Sequence, residues 1–113
     1  MTDHDPNRER RQYPRVKAPI RCRLAGSHTS HRAVVDISLG GLRLHTDEPQ
    51  AVGESVEMEL LLPDYSRLVC TARVAWLRPL PPGSVGKYDI GFQFLQVPLY
   101  FWQRLGSLLE WST

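Results

Sequence analysis

The chain is short of most of the residue patterns that mark an enzyme, a membrane protein or a secreted scaffold. Its 113 residues include two cysteines, Cys22 and Cys70, and no CxxC pair. That excludes a disulfide framework and a thiol-rich metal knuckle. Both cysteines sit in apolar-patterned segments and read as buried free thiols, because an unpaired cysteine packs like a small hydrophobe. No apolar run approaches the roughly 20 residues needed to cross a bilayer. The N-terminal MTDHDPNRERR lacks the apolar segment of a secretory signal, so a cytoplasmic protein without membrane insertion is expected. His4, His28, His31 and His45 do not gather with cysteines or carboxylates at metal-ligand spacing, and no metal or cofactor is expected. There is no glycine-rich phosphate loop and no GxSxG nucleophile elbow. Asp64 and Asp89 have no second acid nearby in sequence to form a catalytic pair. The reading is a binding protein, not an enzyme.

What the chain does have is positive charge in one place. Residues 1–23 carry seven basic side chains against three acidic ones, whereas the remainder carries seven basic and nine acidic. A local patch suits a small anionic ligand better than a long polyanion, which would want a broader basic face.

The chain is long enough for one domain with a modest core. Residues 1–9 are polar and aperiodic and are expected to form a flexible tail. From Val16 onward, short β patterns alternate with turn residues. VKAPIRCRLAG and HRAVVDI flank the loop at residues 26–30 and predict a hairpin. GLRLHT alternates Leu42 and Leu44 against Arg43 and His45, and ESVEMELLLP sets Val56, Met58, Leu60 and Leu62 against Glu57 and Glu59. RLVCTARVAWLR places Leu68, Cys70, Ala72, Val74 and Trp76 in one register. YDIGFQF does the same with Tyr88, Ile90, Phe92 and Phe94. After Pro98 the period becomes helical through Leu99, Trp102, Leu105, Leu108 and Leu109. About six antiparallel strands in so small a domain would leave open edges unless they closed, so the expectation is a small barrel with a C-terminal helix at about 98–111. The helix carries more apolar groups than one buried face needs (Leu99, Tyr100, Phe101, Trp102, Trp111). That leaves either an interaction surface or plain packing with stray exposed aromatics.

Two motifs stand out: RQYPR at Arg11–Arg15 and DISLGG at Asp36–Gly41. If the first hairpin turns near Ser27 and His28, facing residue numbers sum to about 55. Asp36 is then expected opposite Ala18 or Pro19, and Arg15 falls just beyond, at one end of the hairpin. The chemistry fits a guanine nucleotide. Arg11 and Arg15 offer planar forks for phosphate oxygens or the O6/N7 edge of guanine, and flat faces for stacking. Ionised Asp36 accepts only, and so can take the N1–H and N2–H of guanine. Ser38 supplies a hydroxyl, and Gly40 and Gly41 allow close approach and a positive φ.

Taken together, the RxxxR motif at Arg11–Arg15 and the [DN]xSxxG motif at Asp36–Gly41 resemble those of PilZ domains, bacterial receptors for cyclic di-GMP. The later ARVAW and YDIGFQF stretches look like the family too. The resemblance covers about Glu9 to the C-terminus and leaves no room in the chain for a separate output domain. It implies residues 10–113 as one six-stranded, Greek-key antiparallel barrel whose N-terminal arginine arm closes over the ligand. Arg11 and Arg15 would contact phosphates and guanine, with Asp36, Ser38, Gly40 and Gly41 holding a base on the barrel side. Arg10, directly before RxxxR, implies an intercalated dimer of the nucleotide. Trp76 resembles a position where some members place an aromatic beside a guanine; core packing is the alternative. The implied role is a stand-alone adaptor for an unidentified downstream protein, as a monomer or weak homodimer, with no DNA or RNA partner. Alternatives are a PilZ-like adaptor that works through protein contacts alone, and a barrel that binds single-stranded nucleic acid.

Overall fold

Consecutive amides of one short segment hold opposite flanks of the sheet together. In the computed structural model, which describes residues 17, 19–26 and 31–112 and the helix side chains through Leu108, the strands are β1 (Arg21–Leu24), β2 (Arg32–Ala33), β3 (Asp36–Ser38), β4 (Gly41–Thr46), β5 (Ser55–Leu61), β6 (Arg67–Pro79) and β7 (Tyr88–Gln96). They form one sheet in the order β2-β1-β5-β6-β7-β4-β3, antiparallel throughout. β2 and β3, its two outermost strands, are separated only by Val34 and Val35. The Val34 amide donates to the Ile20 carbonyl on the β1 side at 3.0 Å, and the Val35 amide donates to the Arg43 carbonyl on β4 at 2.8 Å. The sheet therefore rolls until its edges meet at one peptide unit, which removes most of the open edge.

This closure accounts for a departure from the expected strand count. HRAVVDI reads as one strand, but the structure breaks it in two, giving seven strands instead of six. The hairpin register is nearly as expected, with Arg21 opposite Ala33 and Cys22 opposite Arg32. However, among the described residues that ladder ends at Val34, and Asp36 pairs with Arg43 on β4; Ala18, one of its two expected partners, lies outside the described residues.

The alternation predicted for β4, β5 and β7 holds. Leu42, Leu44, Met58, Leu60, Leu62, Ile90, Phe92 and Phe94 all point into the core, joined by Leu68, Cys70, Ala72 and Val74 from β6. Between Val74 and Trp76 the β6–β7 register shifts: Val74 faces Phe92, Trp76 faces Gly91 and Leu77 faces Ile90. The residue left over, Ala75, makes a bulge that reverses the facing of everything after it. Leu77 packs against the core, and Trp76 leaves the register of Leu68–Val74 for the outer face.

The helix α1 (Leu99–Ser112) docks through Leu105 and Leu108 of the expected stripe, but its first turn buries Phe101 in place of Leu99. Phe101 and Leu105 are fully buried and Leu108 packs beside them, whereas Leu99 is 74% exposed. Phe101 meets Phe94 edge to face, with ring centroids 5.2 Å apart, a favoured aromatic geometry. Arg104 bonds Asp64 and Ser66 in the β5–β6 turn, fastening the helix at a second point. The two Ser66 hydrogen bonds, with Arg104 adding to them, hold the Asp64 carboxyl down at about 2. Among the described residues no helix is long and apolar enough to cross a membrane.

Two outcomes are expected. Phe101→Ala should cost about 3–5 kcal/mol in denaturant unfolding, while Leu99→Ser should shift the midpoint little. Cys22 and Cys70 are free and buried, and burial pushes both thiols up to about 12. Neither should react with a thiol reagent at pH 8 in the folded protein, and both should in denaturant.

Candidate ligand-binding face

The DISLGG stretch is the tight hairpin between β3 and β4. Asp36 pairs with Arg43, Ile37 with Leu42 and Ser38 with Gly41. Since side chains alternate along a strand, fully buried Ile37 anchors the hairpin to the core and places Asp36 and Ser38 on the opposite face, where Asp36 is half-buried and Ser38 only 4% exposed. Within the turn, the Gly40 amide donates to Ser38 Oγ at 3.1 Å, the local bond that serine offers a turn. The glycines have a different reason from the expected one. Positive φ occurs at Gly26, Gly53, Gly83 and Gly86, not at Gly40 or Gly41. Gly41 is required because a Cβ there would lie 1.9 Å from the Phe92 carbonyl oxygen. The neighbouring strand occupies that space.

Strand register then lines up the outer face. Trp76 on β6 is opposite Gly91 on β7, Gly91 is opposite Arg43 on β4, and Arg43 is opposite Asp36 on β3. The next row runs from Arg78 through Asp89 to His45, and the one on the other side from Arg73 through Gln93 and Gly41 to Ser38. Asp36, Ser38, Gly41 and Trp76 thus share one surface.

At its centre is a carboxylate that sequence reasoning passed over. Asp89 is only 6% exposed, and a buried charge persists only when it is paired. Arg78 donates to its Oδ2 at 3.1 Å. His45 Nε2 lies 3.4 Å and Arg43 Nε 3.6 Å from Oδ1. Arg43 Nε is also 3.5 Å from Asp36 Oδ2, so this guanidinium bridges the two acids. Arg43 Nε and Asp89 Oδ1 are buried without a hydrogen bond, close enough for attraction but not in bonding geometry. The available signal was Asp89 itself, a charge set between Tyr88 and Ile90 in an otherwise apolar strand. Among the described residues no group of three His, Cys, Asp or Glu side chains could hold a metal ion.

Trp76 is half-buried and fills the space above Gly91, where a Cβ would lie 2.3 Å from its Nε1 and Cε2. The Arg78 guanidinium lies over the ring, 4.6 Å from the centroid. Trp76 thus lies outside the core cluster, on the same outer face as Asp36. Arg10, Arg11 and Arg15 fall outside the described residues.

A rolled antiparallel sheet with a docked helix and an outer face of paired charges defines a small β-barrel domain. The sequence profile of the PilZ domain matches residues 9–111, and the chain belongs to the PilZ domain family. No curated protein matches it. The fold superposes on the Bacillus subtilis inhibitor of motility MotI/DgrA with a TM-score of 0.71 at 21% identity, over 91% of this chain and 49% of that one. For the K. pneumonia MrkH–c-di-GMP complex the values are 0.69 and 24%, over 88% and 50%. For the PilZ domain of Escherichia coli YcgR with c-di-GMP they are 0.63 and 24%, over 89% and 92%. The chain spans about half the length of the first two structures.

Gly41→Ala should destabilise the protein without any ligand, by at least about 3 kcal/mol, because overpacking here meets backbone and not a movable side chain. A thermal melt near that of the unsubstituted protein would show that Gly41 is not fixed by strand packing.

Proposed function

We propose that this chain is a cyclic di-GMP receptor acting as an adaptor for a downstream protein. The observation that carries the reading is Asp36 and Ser38, the acceptor and the hydroxyl of the family motif. They share the outer face at the seam of the rolled sheet, Asp36 partly exposed and Ser38 nearly covered, with the Arg43 guanidinium 3.5 Å from Asp36. Asp36 can accept the N1–H and N2–H donors of one guanine. Ser38, already committed to the Gly40 amide as acceptor, keeps its own proton to donate.

The phosphates and the outer side of the base fall to Arg11 and Arg15, whose forks match phosphate oxygens. The chain geometry allows it. Ile20 is bonded to Val34, two residues before Asp36, and five residues of chain reach at most about 17 Å. Arg15 can therefore come to the Asp36 end of the face. Arg10 beside the pair supports uptake of an intercalated nucleotide dimer. The arm from Arg8 to Arg15 then closes over the ligand and alters the surface shown to a partner, a change driven by ligand contacts made in only one state. The c-di-GMP complexes of MrkH and of the YcgR PilZ domain share the fold, which favours this ligand over other anions.

Calorimetric titration with cyclic di-GMP should show saturable binding, with GTP and cyclic di-AMP much weaker. Arg11→Ala and Arg15→Ala should each abolish measurable binding and leave the ligand-free melt in place. Asp36→Ala should weaken it about tenfold or more, as expected for a lost charge-assisted hydrogen bond. Full affinity in the Arg15→Ala protein would refute the assignment. A steep loss of binding with salt would indicate a polyanion instead.

A further inference from the structure

Arg43 reaches both Asp36, the proposed guanine acceptor, and Asp89, the buried acid behind it. Its Nε lies 3.5 Å from Asp36 Oδ2 and 3.6 Å from Asp89 Oδ1. The two distances are nearly equal, and Arg43 Nε and Asp89 Oδ1 are buried without a hydrogen bond. Buried polar atoms left in that condition are rare and call for a reason. Here the guanidinium is held by charge from two sides instead of by one directional bond.

The two acids are not equivalent. Asp89 sits on β7, flanked by β6 and β4. Arg78 donates to its other oxygen at 3.1 Å, and His45 Nε2 stands 3.4 Å away. That end is fixed. Asp36 instead opens β3, an outermost strand of three residues laddered to β4. Arg43 is its direct partner across that ladder, the position at which opposite charges on adjacent strands interact most closely. Asp89 therefore restrains Arg43, and Arg43 in turn restrains Asp36.

Orientation matters most at Asp36. Accepting N1–H and N2–H of one guanine together requires both carboxylate oxygens near the plane of the base. A carboxylate turned out of that plane keeps one bond and loses the other. A side chain already held in place also avoids much of the ordering cost of binding. We propose that Arg43, anchored by Asp89, is a positioning residue that sets the plane of the Asp36 carboxylate. It thereby sets the preference for guanine over a base without the N2 amino group, an assignment that rests on the receptor reading above.

The test is calorimetric titration of the full chain with cyclic di-GMP and with cyclic di-IMP, whose hypoxanthine lacks that amino group. Thermal melts check folding. The unsubstituted chain should prefer cyclic di-GMP about tenfold or more, the range of one hydrogen bond to a charged group. Arg43→Gln, uncharged, should bind cyclic di-GMP about tenfold more weakly and cyclic di-IMP with a smaller loss, so the preference shrinks. Arg43→Lys should retain most of both, because a cation held by charge alone can be replaced by another. In an Asp36→Ala background, Arg43→Gln should lower affinity no further, as a double-mutant cycle requires of a residue acting through Asp36. Unchanged affinity and preference in Arg43→Gln overturns the assignment. So does an equal loss in Arg43→Lys, or the full Arg43→Gln loss repeated in the Asp36→Ala background. If Arg43→Gln does not melt cooperatively, the Arg43→Gln/Asp89→Asn protein takes its place in the same comparison, since removing a buried pair together is tolerated better than removing one partner. Absence of binding by the unsubstituted chain would overturn the receptor reading and this inference together, whereas equal binding of the two nucleotides would overturn this inference alone.

Discussion

The arrangement of this protein depends on the peptide unit between Val34 and Val35. Two successive amides bond to strands that would be the far flanks of a flat sheet. A sheet has an inside only if it rolls, and here that single crossover makes it roll. The core side chains of β4, β5, β6 and β7 converge because of it. The same crossover sets where the chain resumes as β3, and hence that Asp36 emerges at the seam beside Arg43 rather than along the first hairpin. Fold and candidate site share one origin.

On the outside, charge takes the organising role that packing has within. Asp89 is costly to bury, and the sheet tolerates it because Arg78, Arg43 and His45 surround it. Replacing the carboxylate would leave Arg43 Nε buried beside nothing of opposite sign but Asp36, and unpaired buried charge is among the most destabilising of changes. The result is a chain of alternating charges from Arg78 across to Asp36. It fixes the orientation of side chains that would otherwise wave in water.

Much of this was legible in the sequence wherever the determining forces are local. Alternation in GLRLHT, ESVEMELLLP and YDIGFQF separated inward from outward residues correctly. DISLGG announced both a tight turn and its outward acid. Legibility failed where one strand had to answer to two neighbours. HRAVVDI carries no glycine or proline at its break, because two β-branched valines suit either flank. The first turn of the helix buries Phe101 in place of Leu99 because Phe94, on the strand just before the helix, provides the aromatic partner. Asp89 looked isolated because its partners lie on two other strands.

The bulge at Ala75 has a consequence of another kind. It contains no unusual chemistry, only one residue more than the opposing strand, yet the way that residue is taken up decides that an indole faces solvent and a leucine the interior. The identity of the outer surface beyond this point is thus written in strand register, not in side-chain type. Pairing Ala75 in a regular ladder would exchange Trp76 and Leu77 across the sheet, whereas deleting Ala75 would keep both opposite their present partners, Gly91 and Ile90. Among domains of this build, equating aromatic positions requires counting backbone pairs across β6 and β7, because matching letters alone would align residues that look in opposite directions.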